Sequence, residues 1–445
     1  MGIRNLLFAH RDVEGIDHIE VYEAHGGYTG LKRAIEIGPE ATVNEIKVSG
    51  LRGRGGAGFP TWIKWSGVLS DKSGKPHYVL CNADEGEPGT FKDRELMLKL
   101  PHLVVEGIAI AGFATKSQKG YIYIRGEYVE PAWQIRKAID QAYAKGYLGK
   151  NILGSGHDFD LYIHMGAGSY ECGEESALMS SLMGERGQPR LKFPHAPLPT
   201  VEGVWQAPTL INNVESYCAA SWILQHSGAE YASYGTEKSK GTKIMSVSGH
   251  IARPANYEVE MGTPLMELIE AAGGVVNGRL KAVIPGGSSV QIMTAAQCEK
   301  VTLDYEGCMA AGTLLGSGGC MVFNDTTDIV LLMRRTAEFY MHESCGKCTP
   351  CREGTRWIFK TLDRIVSGGG RPGDVELLLD ICKQIDGRSY CGLGDAAAWP
   401  IVGAIKAFRE EFDYWIEHKR SPVGAHCVPK LPEFSQQLLS LLPAR

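Results

Sequence analysis

The order of hydrophobic and polar positions divides the chain into stretches of different character. Residues 1–50 are mostly polar, with short amphipathic pieces at 31–37 and 43–48, and they predict helices. From about 51 to 240, runs rich in Tyr, Ile and Val alternate with helix-like segments. This alternation predicts an α/β fold with a largely parallel sheet. The predicted strands are 77–82, 120–125 and 160–165, and the predicted helices are 96–115, 131–145 and 174–183.

The pattern changes twice more toward the C-terminus. Residues 241–330 combine short strands at 243–248 and 281–284 with a helix at 264–272, which predicts a small α+β domain. Helical periodicity then dominates 331–420, at 330–341, 355–367, 374–385 and 399–418, and predicts a small bundle. Residues 421–445 form a tail with little pattern. The predicted domains are therefore 1–50, 51–240, 241–330 and 331–420, followed by the tail.

Composition narrows the class of protein. A chain of 445 residues is expected to form two to four domains, and a formal charge of −5 disfavours nucleic acid as a partner. The sequence contains no run of about 18 apolar residues, so no membrane span is predicted. The N-terminus lacks the features of a signal peptide. Twelve cysteines are few for this length and favour a reducing compartment. We expect a cytoplasmic protein.

The strongest chemical signal is a run of three closely spaced cysteines within 345–354. Each is separated from the next by two residues, which directs three sulfurs toward one centre: Cys345, Cys348 and Cys351. A structural zinc site also takes four cysteines but usually pairs two Cys-x-x-Cys knuckles. Three cysteines on one side and one on the other fit a cubane iron–sulfur cluster better.

The fourth ligand has three candidates. Cys391 stands between Tyr390 and a glycine pair, and these glycines allow backbone to approach a cluster. Cys382 occupies a helical position of core character, and Cys427 lies in the tail. The other cysteines are expected to be buried small hydrophobes: Cys81, Cys172, Cys218, Cys298, Cys308 and Cys320.

A glycine-rich segment at 53–58 matches the pattern G-x-G-x-x-G. It does not fit a dinucleotide fingerprint, because a helix-like segment precedes it and the strand comes later. Four glycines near Arg52, Arg54 and Lys64 indicate a loop that brings backbone N–H groups to an anion. A plain tight turn is the alternative.

Polar residues follow two predicted strands. Asn82, Asp84, Glu85 and Glu87 come after the first, where ligands bind in open α/β sheets; a solvated acidic loop is the alternative. The segment 166–175 leaves another strand and opens a helix, so its acidic residues are also explained as helix capping. Asn212 and Asn213 offer paired amides suited to a heterocycle edge or a phosphate. Together with a cluster, these segments indicate an electron source that binds a nucleotide and a flavin.

The chain closely resembles the family of flavin- and NADH-binding subunits of respiratory complex I, the bacterial NADH-quinone oxidoreductase. The resemblance runs from about residue 25 to about residue 415. The shared motifs are the segments 53–60, 81–89, 125–128, 166–176, 212–215 and 343–354.

The resemblance implies a Rossmann-like flavin domain, a ubiquitin-like β-grasp domain and a helical bundle with one 4Fe–4S cluster. The positions implied for non-covalent FMN are Gly53, Gly55, Lys64, Asn82, Asp84, Gly173, Glu174, Asn212 and Asn213. Those implied for NADH are Phe59, Glu87, Tyr170, Glu175 and Lys192. The implied cluster ligands are Cys345, Cys348, Cys351 and Cys391.

The implied reaction requires no catalytic acid or base. NADH passes a hydride directly to FMN, and electrons then leave singly through the cluster toward quinone. The implied partners are a thioredoxin-like 2Fe–2S subunit and a large subunit with several iron–sulfur clusters. We hypothesise that Glu87 and Glu175 disfavour extra negative charge near the flavin and help NAD⁺ leave.

The chain departs from the family around the nucleotide. Position 62 is Trp where the family usually has Gly, and position 67 is Gly where bacterial relatives place a Phe. The segment 193–199 is about three residues longer than in the family. We therefore hypothesise that Trp62 replaces the lost aromatic stacking. The second aromatic position of the family corresponds to Phe193, to His195 or to neither.

Two other functions fit parts of the sequence. A diaphorase subunit of an NAD-dependent hydrogenase or formate dehydrogenase uses the same chemistry, but such chains often carry fused ferredoxin-like domains. A scaffold with a structural zinc requires a vestigial flavin pocket. No basic residue is clearly placed to bind the 2′-phosphate of NADPH, so NADH is the expected substrate.

Overall fold

The computed structural model describes residues 2–191 and 198–424. Its first sheet has four strands, all parallel, in the order β3-β2-β1-β4. The strands are β1 (Tyr78–Ala83), β2 (Lys119–Ile124), β3 (Asp160–Met165) and β4 (Thr209–Asn213). The accompanying helices are α1 (Ile19–Ala24), α2 (Thr29–Ile37), α3 (Pro39–Val48), α4 (Thr61–Leu69), α5 (Lys92–Lys99), α6 (Pro101–Ala114), α7 (Val129–Ala144), α8 (Glu175–Leu182), α9 (Val214–Gln225) and α10 (Gly228–Ala232).

Helix α6 is the central helix of this part, and every one of its residues is buried. It packs against α9, α2 and α7 and against the strands of the first sheet. Gly107 allows the contact with α9, because a Cβ at this position would lie 2.0 Å from the carbonyl oxygen of Tyr217. A helix that is apolar on all sides belongs in a core, so α6 anchors the sheet from one face.

Among the described residues, no single helix is long and apolar enough to cross a membrane. Helices α5 and α6 pass by length and composition only when taken together, and they meet at a bend of 97°.

The second sheet is mixed and has the order β6-β5-β11-β8-β9. Its central strands β5 and β11 are parallel, and the other neighbours are antiparallel. The strands of this part, including the small pair β7–β10, are β5 (Thr242–Gly249), β6 (Ala255–Glu260), β7 (Thr263–Pro264), β8 (Leu280–Ile284), β9 (Met293–Thr294), β10 (Thr302–Leu303) and β11 (Gly319–Asn324). Its helices are α11 (Leu265–Ala271), α12 (Ala295–Cys298) and α13 (Tyr305–Ala310).

Four helices form the C-terminal part: α14 (Ile329–Glu343), α15 (Thr349–Arg364), α16 (Asp374–Ile385) and α17 (Leu393–His418). Each of α14 and α16 packs against both α15 and α17. Their apolar faces share one core with residues of β8 and the loop after it. The helices are amphipathic, and the polar faces remain outside.

The α/β fold with a parallel sheet, predicted from the alternating pattern, is confirmed. One predicted helix, 96–115, is two helices, because Pro101 cannot continue α5 and instead opens α6. Strand β4 was not predicted, since its five residues end in two asparagines, which are rare in strands. Helices α15 and α17 begin six residues earlier than predicted, so Cys351 lies inside α15 rather than before it.

Candidate functional site

Motifs far apart in the sequence meet at the carboxyl ends of β1 and β4. The two strands pair in parallel, with Cys81 opposite Asn212 and Asn82 opposite Asn213. The acidic segment after β1 and the asparagine pair at the end of β4 therefore emerge side by side. The loop between β3 and α8 and the glycine-rich loop at 53–58 close the same opening.

These segments enclose two adjoining spaces, a cavity of about 630 Å³ and a groove of about 450 Å³. Together they have the size of a typical cofactor site. The residues implied for FMN all line one space or the other: Gly53, Gly55, Lys64, Asn82, Asp84, Gly173, Glu174, Asn212 and Asn213. Four of the residues implied for NADH do so as well: Phe59, Glu87, Tyr170 and Glu175. Lys192, Phe193 and His195 lie outside the described residues.

Asp84 presents a carboxylate to the 630 Å³ cavity. Burial raises the pKa of this carboxyl to about 7, because the low-dielectric surroundings disfavour its charged form. Its Oδ2 atom is buried and has no hydrogen-bond partner among the described residues. A buried oxygen of this kind calls for a donor. The hydroxyl groups of a flavin nucleotide are suitable donors, so the cavity fits FMN in its chemistry.

Replacing Asp84 with asparagine tests its burial directly. The pKa of Asp84 is higher in the folded state than its ordinary value of 3.8, so ionisation of this carboxyl destabilises the fold. This destabilisation is complete above pH 7 and absent below pH 3.8. We expect Asp84→Asn to stabilise the FMN-free chain by up to about 4 kcal/mol at pH 8, at 1.36 kcal/mol per pKa unit, and by little at pH 4. Urea titrations at the two pH values measure the difference. An equal gain at both would rule out ionisation as its cause.

Glu87 is held at the junction between the two sheets. Its carboxylate accepts hydrogen bonds from the hydroxyl of Tyr170 (2.6 Å) and from the backbone N–H of Ser289 (2.8 Å). Burial raises the pKa of Glu87, and these donors offset part of that rise. The loop after β8 therefore closes the cavity from the side of the second sheet, and the position of Glu87 depends on both parts of the chain.

The amide of Asn213 is fully engaged by other protein groups. Its Oδ1 accepts from Lys92 Nζ and from the N–H of Glu215, both at 3.0 Å. Its Nδ2 donates to Asp93 at 2.7 Å and to the carbonyl of Asn82 at 3.5 Å. An amide has two donors and two acceptor positions. Asn213 therefore shapes the cavity wall, and a ligand meets an amide that is already oriented.

The other polar residues of the opening have similar double roles. Glu174 caps α8, since it accepts from the N–H groups of Ser176 and Ala177 at 2.9 and 3.0 Å. Lys64 lies 3.3 Å from Glu175 in the groove. Asn212 is buried, and its side-chain oxygen accepts a hydrogen bond from the indole N–H of Trp65 in α4 at 3.0 Å. Helix capping and ligand binding are thus compatible at this loop.

Two of the cations near the glycine-rich loop bind other parts of the protein. Arg54 is fully buried and donates to the backbone carbonyls of Thr242 and Lys240 and to the hydroxyl of Tyr231. Arg52 is bound to Glu306 at 2.7 Å. Arg54 fastens the glycine-rich loop to β5, and Arg52 fastens it to α13. The Arg54 side chain turns into the protein and not toward the opening.

The expectation for Trp62 was wrong. Trp62 packs against the core, with Lys47 of α3 4.9 Å from its ring centre, and it lines neither the cavity nor the groove. At Gly67, an added Cβ would lie 3.2 Å from Thr200, so Thr200 occupies the space beside this position. Phe59 is the exposed aromatic residue of the groove, with 48% of its surface accessible.

The four predicted cluster ligands line one small cavity: Cys345, Cys348, Cys351 and Cys391. Gly346 has a φ of +76°, which allows the tight loop between the first two. Within the described parts of the chain, no three His, Cys, Asp or Glu residues are arranged to hold a single metal ion. In a cubane cluster each thiolate binds a different iron, so its ligands surround a larger centre. The four cysteines around one cavity are the ligand set that a 4Fe–4S cluster needs.

The fold distinguishes between the candidates for the fourth cluster ligand. Cys391 faces the other three cysteines just before α17, whereas Cys382 is buried in the core of the helical bundle. Cys427 lies outside the described residues. Burial raises the pKa of Cys351 to about 12, so iron must displace the proton on binding. The six remaining cysteines are all buried, as expected.

The 630 Å³ cavity and the cavity lined by the four cysteines share a wall. Glu171 and Leu393 line both of them. Next to this wall, Tyr170 packs against Phe339 and Tyr340 of α14, with ring centres 5.2 and 6.1 Å apart. A redox group in the first cavity would therefore be separated from the cysteines by little more than one layer of side chains.

Sequence reasoning missed several charged residues of the 630 Å³ cavity, and Lys92 is the cation among them. Lys92 is fully buried, and its side chain lines the 630 Å³ cavity. A lysine after an acidic loop is normally read as exposed. The only available signal was its place at the first position of a helix, where a cation opposes the helix dipole.

Three family models match successive parts of the chain. They are the Nuo51 FMN-binding domain over residues 46–222, the SLBB domain over 243–331 and the NADH-ubiquinone oxidoreductase-F iron-sulfur binding region over 331–414. A solved structure of an NAD⁺-reducing [NiFe]-hydrogenase in the H₂-reduced state is also similar. Its TM-score is 0.77 at 34% identity, over 90% of this chain and 66% of that one.

Curated relatives match over nearly their whole length. The F subunit of NADH-quinone oxidoreductase from Rickettsia bellii is 48% identical over 395 residues, which cover 88% of this chain and 94% of the relative. The second such F subunit of Rhizobium meliloti is 48% identical over 420 residues, covering 94% and 99%. The F subunit of Streptomyces coelicolor is 48% identical over 405 residues, covering 91% and 89%. The chain therefore belongs to the family of NADH-quinone oxidoreductase F subunits.

Proposed function

We propose that this chain oxidises NADH at an FMN bound in the cavity and groove, and delivers the electrons to a 4Fe–4S cluster held by the four cysteines. The family is one of oxidoreductases with an FMN-binding domain and an iron–sulfur region. The observation that carries the proposal for these residues is the shared wall of Glu171 and Leu393. FMN supplies a centre that takes a hydride and releases electrons singly.

The finer architecture follows from the same proposal. Residues 51–240 form a Rossmann-like FMN- and NADH-binding domain, supported by the parallel order of β1–β4. Residues 241–330 form a ubiquitin-like β-grasp domain, supported by a mixed sheet with a parallel central pair. Residues 331–420 form the helical 4Fe–4S domain, with 1–50 as a helical N-terminal region and 421–445 as a tail.

The chain's own residues position the reactants and exclude water. Asp84 offers an acceptor for a flavin hydroxyl, and Asn82, whose Nδ2 donates to the carbonyl of Gly173 at 2.8 Å, holds the two loops together. Phe59 and Lys64 present an aromatic face and a cation in the groove for the nucleotide. Glu87 and Glu175 place carboxyl groups at the opening and disfavour additional negative charge there. No acid or base acts on the substrate.

Anaerobic titration with NADH tests the function. Purified protein reconstituted with FMN and iron should bleach its flavin absorption as NADH is added, and a paramagnetic signal of a reduced cluster should follow. A protein that binds FMN and is reduced without any cluster signal would contradict the proposed path. A colourless protein that contains zinc would favour the scaffold instead.

The family and the hydrogenase neighbour indicate a multi-subunit complex with other iron–sulfur subunits. We propose a thioredoxin-like 2Fe–2S subunit and a large subunit with several clusters, in a complex on the cytoplasmic side of the membrane. The hydrogenase structure supports a second candidate, the diaphorase subunit of an NAD-dependent hydrogenase. Isolation of the native complex and identification of its subunits distinguishes the two.

A surface near the cysteines is the expected contact for the next electron carrier. Helix α15, which contains Cys351, exposes Arg356, Lys360 and Trp357, and 55% of the Trp357 surface is accessible. Arg and Trp are enriched in protein interfaces. We expect Trp357→Ala to weaken binding of the partner iron–sulfur subunit about tenfold, equivalent to about 1.4 kcal/mol.

The matched control is Trp133→Ala, which removes an indole with 71% accessible surface on α7. We expect this variant to bind the partner normally. Titration calorimetry with the purified partner measures both constants. Equal losses in the two variants would show that α15 is not the contact.

A further inference from the structure

Lys92 is a fully buried cation in the wall of the flavin cavity. Its Nζ lies 2.7 Å from Asp93 Oδ1 and 3.0 Å from Glu215 Oε2, and it donates to Asn213 Oδ1 at 3.0 Å. Burying an ammonium group is costly unless it is paired and hydrogen-bonded. Two hydrogen bonds and a second ion pair thus hold the charge of the lysine beside the cavity.

Further buried charged groups surround Lys92. Lys243 also binds Glu215, at 2.9 Å, and Arg54 is buried close by. The cations Lys92, Lys243 and Arg54 are buried together with the carboxyl groups of Asp93, Glu215 and Glu85. Burial alone would raise the pKa of Glu215, but the cations outweigh it and lower this pKa to about 2, so the carboxylate is ionised at neutral pH.

Lys92 and Lys243 differ in their relation to the cavity. Lys92 and its partner Asp93 line the cavity, next to Asn82 and Asp84. Lys243 does not line it, and its Nζ is held by the carbonyls of Arg54 (3.1 Å) and Ser317 (3.0 Å). A buried charge acts strongly on a neighbouring group because little solvent screens it. Charge at Lys92 therefore reaches the cavity contents more directly than charge at Lys243.

We propose that Lys92 raises the reduction potential of the bound flavin through its charge and sets Asn213 in place. The inference rests on the proposed function. Transfer of a hydride brings two electrons and one proton from NADH, leaving NAD⁺, so the flavin gains one negative charge. A fixed cation beside it stabilises that product and favours the reduced flavin. Lys92 takes no part in proton transfer and acts by position and charge alone.

Spectroelectrochemical titration of the FMN-loaded protein is the test. We expect Lys92→Met to lower the flavin midpoint potential by about 30 mV, which corresponds to a tenfold change in the two-electron equilibrium constant. Asp93→Asn removes a negative charge from the same wall and should raise the potential. The control Lys243→Met removes an equally buried cation and should shift it by less than half as much. Opposite shifts at positions 92 and 93 are an electrostatic signature that loss of packing does not produce.

The outcomes are separable from those of the proposed function. If the wild-type protein binds no FMN, the proposed function fails. If it binds FMN but Lys92→Met and Asp93→Asn leave the potential unchanged, or shift it in the same direction, this inference alone is overturned. Should Lys92→Met fail to fold, Lys92→Arg and Asp93→Asn carry the test: the arginine should keep the wild-type potential and the asparagine should raise it.

Discussion

Cys391→Ala is expected to abolish the iron–sulfur cluster, whereas Cys382→Ala keeps it. Cys391 shares one small cavity with the three cysteines of the 345–351 segment, and a cubane needs four thiolates. Cys382 is equally a thiol in the C-terminal helices, but it lies in their apolar core, where its loss removes only packing. The two variants therefore separate ligation from the general effect of losing a sulfur.

Iron content and the reduced-cluster spectrum after NADH addition measure this difference. In Cys391→Ala, iron should fall to a small fraction of the wild-type value, while NADH should still bleach the flavin. In Cys382→Ala, both signals should persist, with a stability loss of about 1 kcal/mol. Loss of the cluster in Cys382→Ala and its retention in Cys391→Ala would reverse the assignment.

Much of the fold could be predicted from local pattern. Strands β1 and β3 appeared as runs of β-branched and aromatic residues, and α16 appeared with the same ends as in the structure. These elements have one clear period and clear ends. Strand β4 and the break at Pro101 were missed. Strand β4 exists because it pairs with β1, a tertiary interaction that the local pattern does not show, whereas the break at Pro101 has a local cause in the proline itself.

The candidate site could be predicted as a set of residues but not as a set of contacts. Cysteine spacing and family motifs identified residues that the fold gathers at two adjoining cavities. Sequence cannot give the direction of a side chain. Trp62 was therefore expected beside the nucleotide although it packs beside Lys47 of α3, and Lys92 was overlooked. Lys92 also contacts Asn213 and Glu215, which are distant in the sequence, so the local pattern cannot show these partners.

Glu215→Gln is expected to destabilise the protein by about 3–5 kcal/mol. The carboxylate is buried and binds both Lys92 (3.0 Å) and Lys243 (2.9 Å), and its second oxygen accepts the N–H of Ile244 at 2.8 Å. Removing one partner from a buried ion pair leaves uncompensated charge, which costs this much in comparable cases. Here two ammonium groups lose their common partner at once. Urea-induced unfolding of the two proteins at pH 7 measures the difference.

The stabilisation that Glu215 provides depends on pH. The folded-state pKa of Glu215 is about 2, below its ordinary value of 4.5, so its stabilising effect is complete above pH 4.5 and is lost as the pH falls toward 2. At 1.36 kcal/mol per pKa unit, about 3 kcal/mol disappears across that window. Glu215→Gln should therefore converge with the wild type in acid.

Glu376→Gln is the matched control, because Glu376 pairs with Arg409 on the exposed surface of α16. Exposed pairs contribute less than about 1 kcal/mol, so this variant should stay close to the wild type throughout. A gap between Glu215→Gln and the wild type that is the same at pH 3 and pH 7 would mean that packing, not charge, accounts for the loss. The buried group of Glu215, Lys92 and Lys243 would then stabilise the protein through its packing and not through its ion pairs.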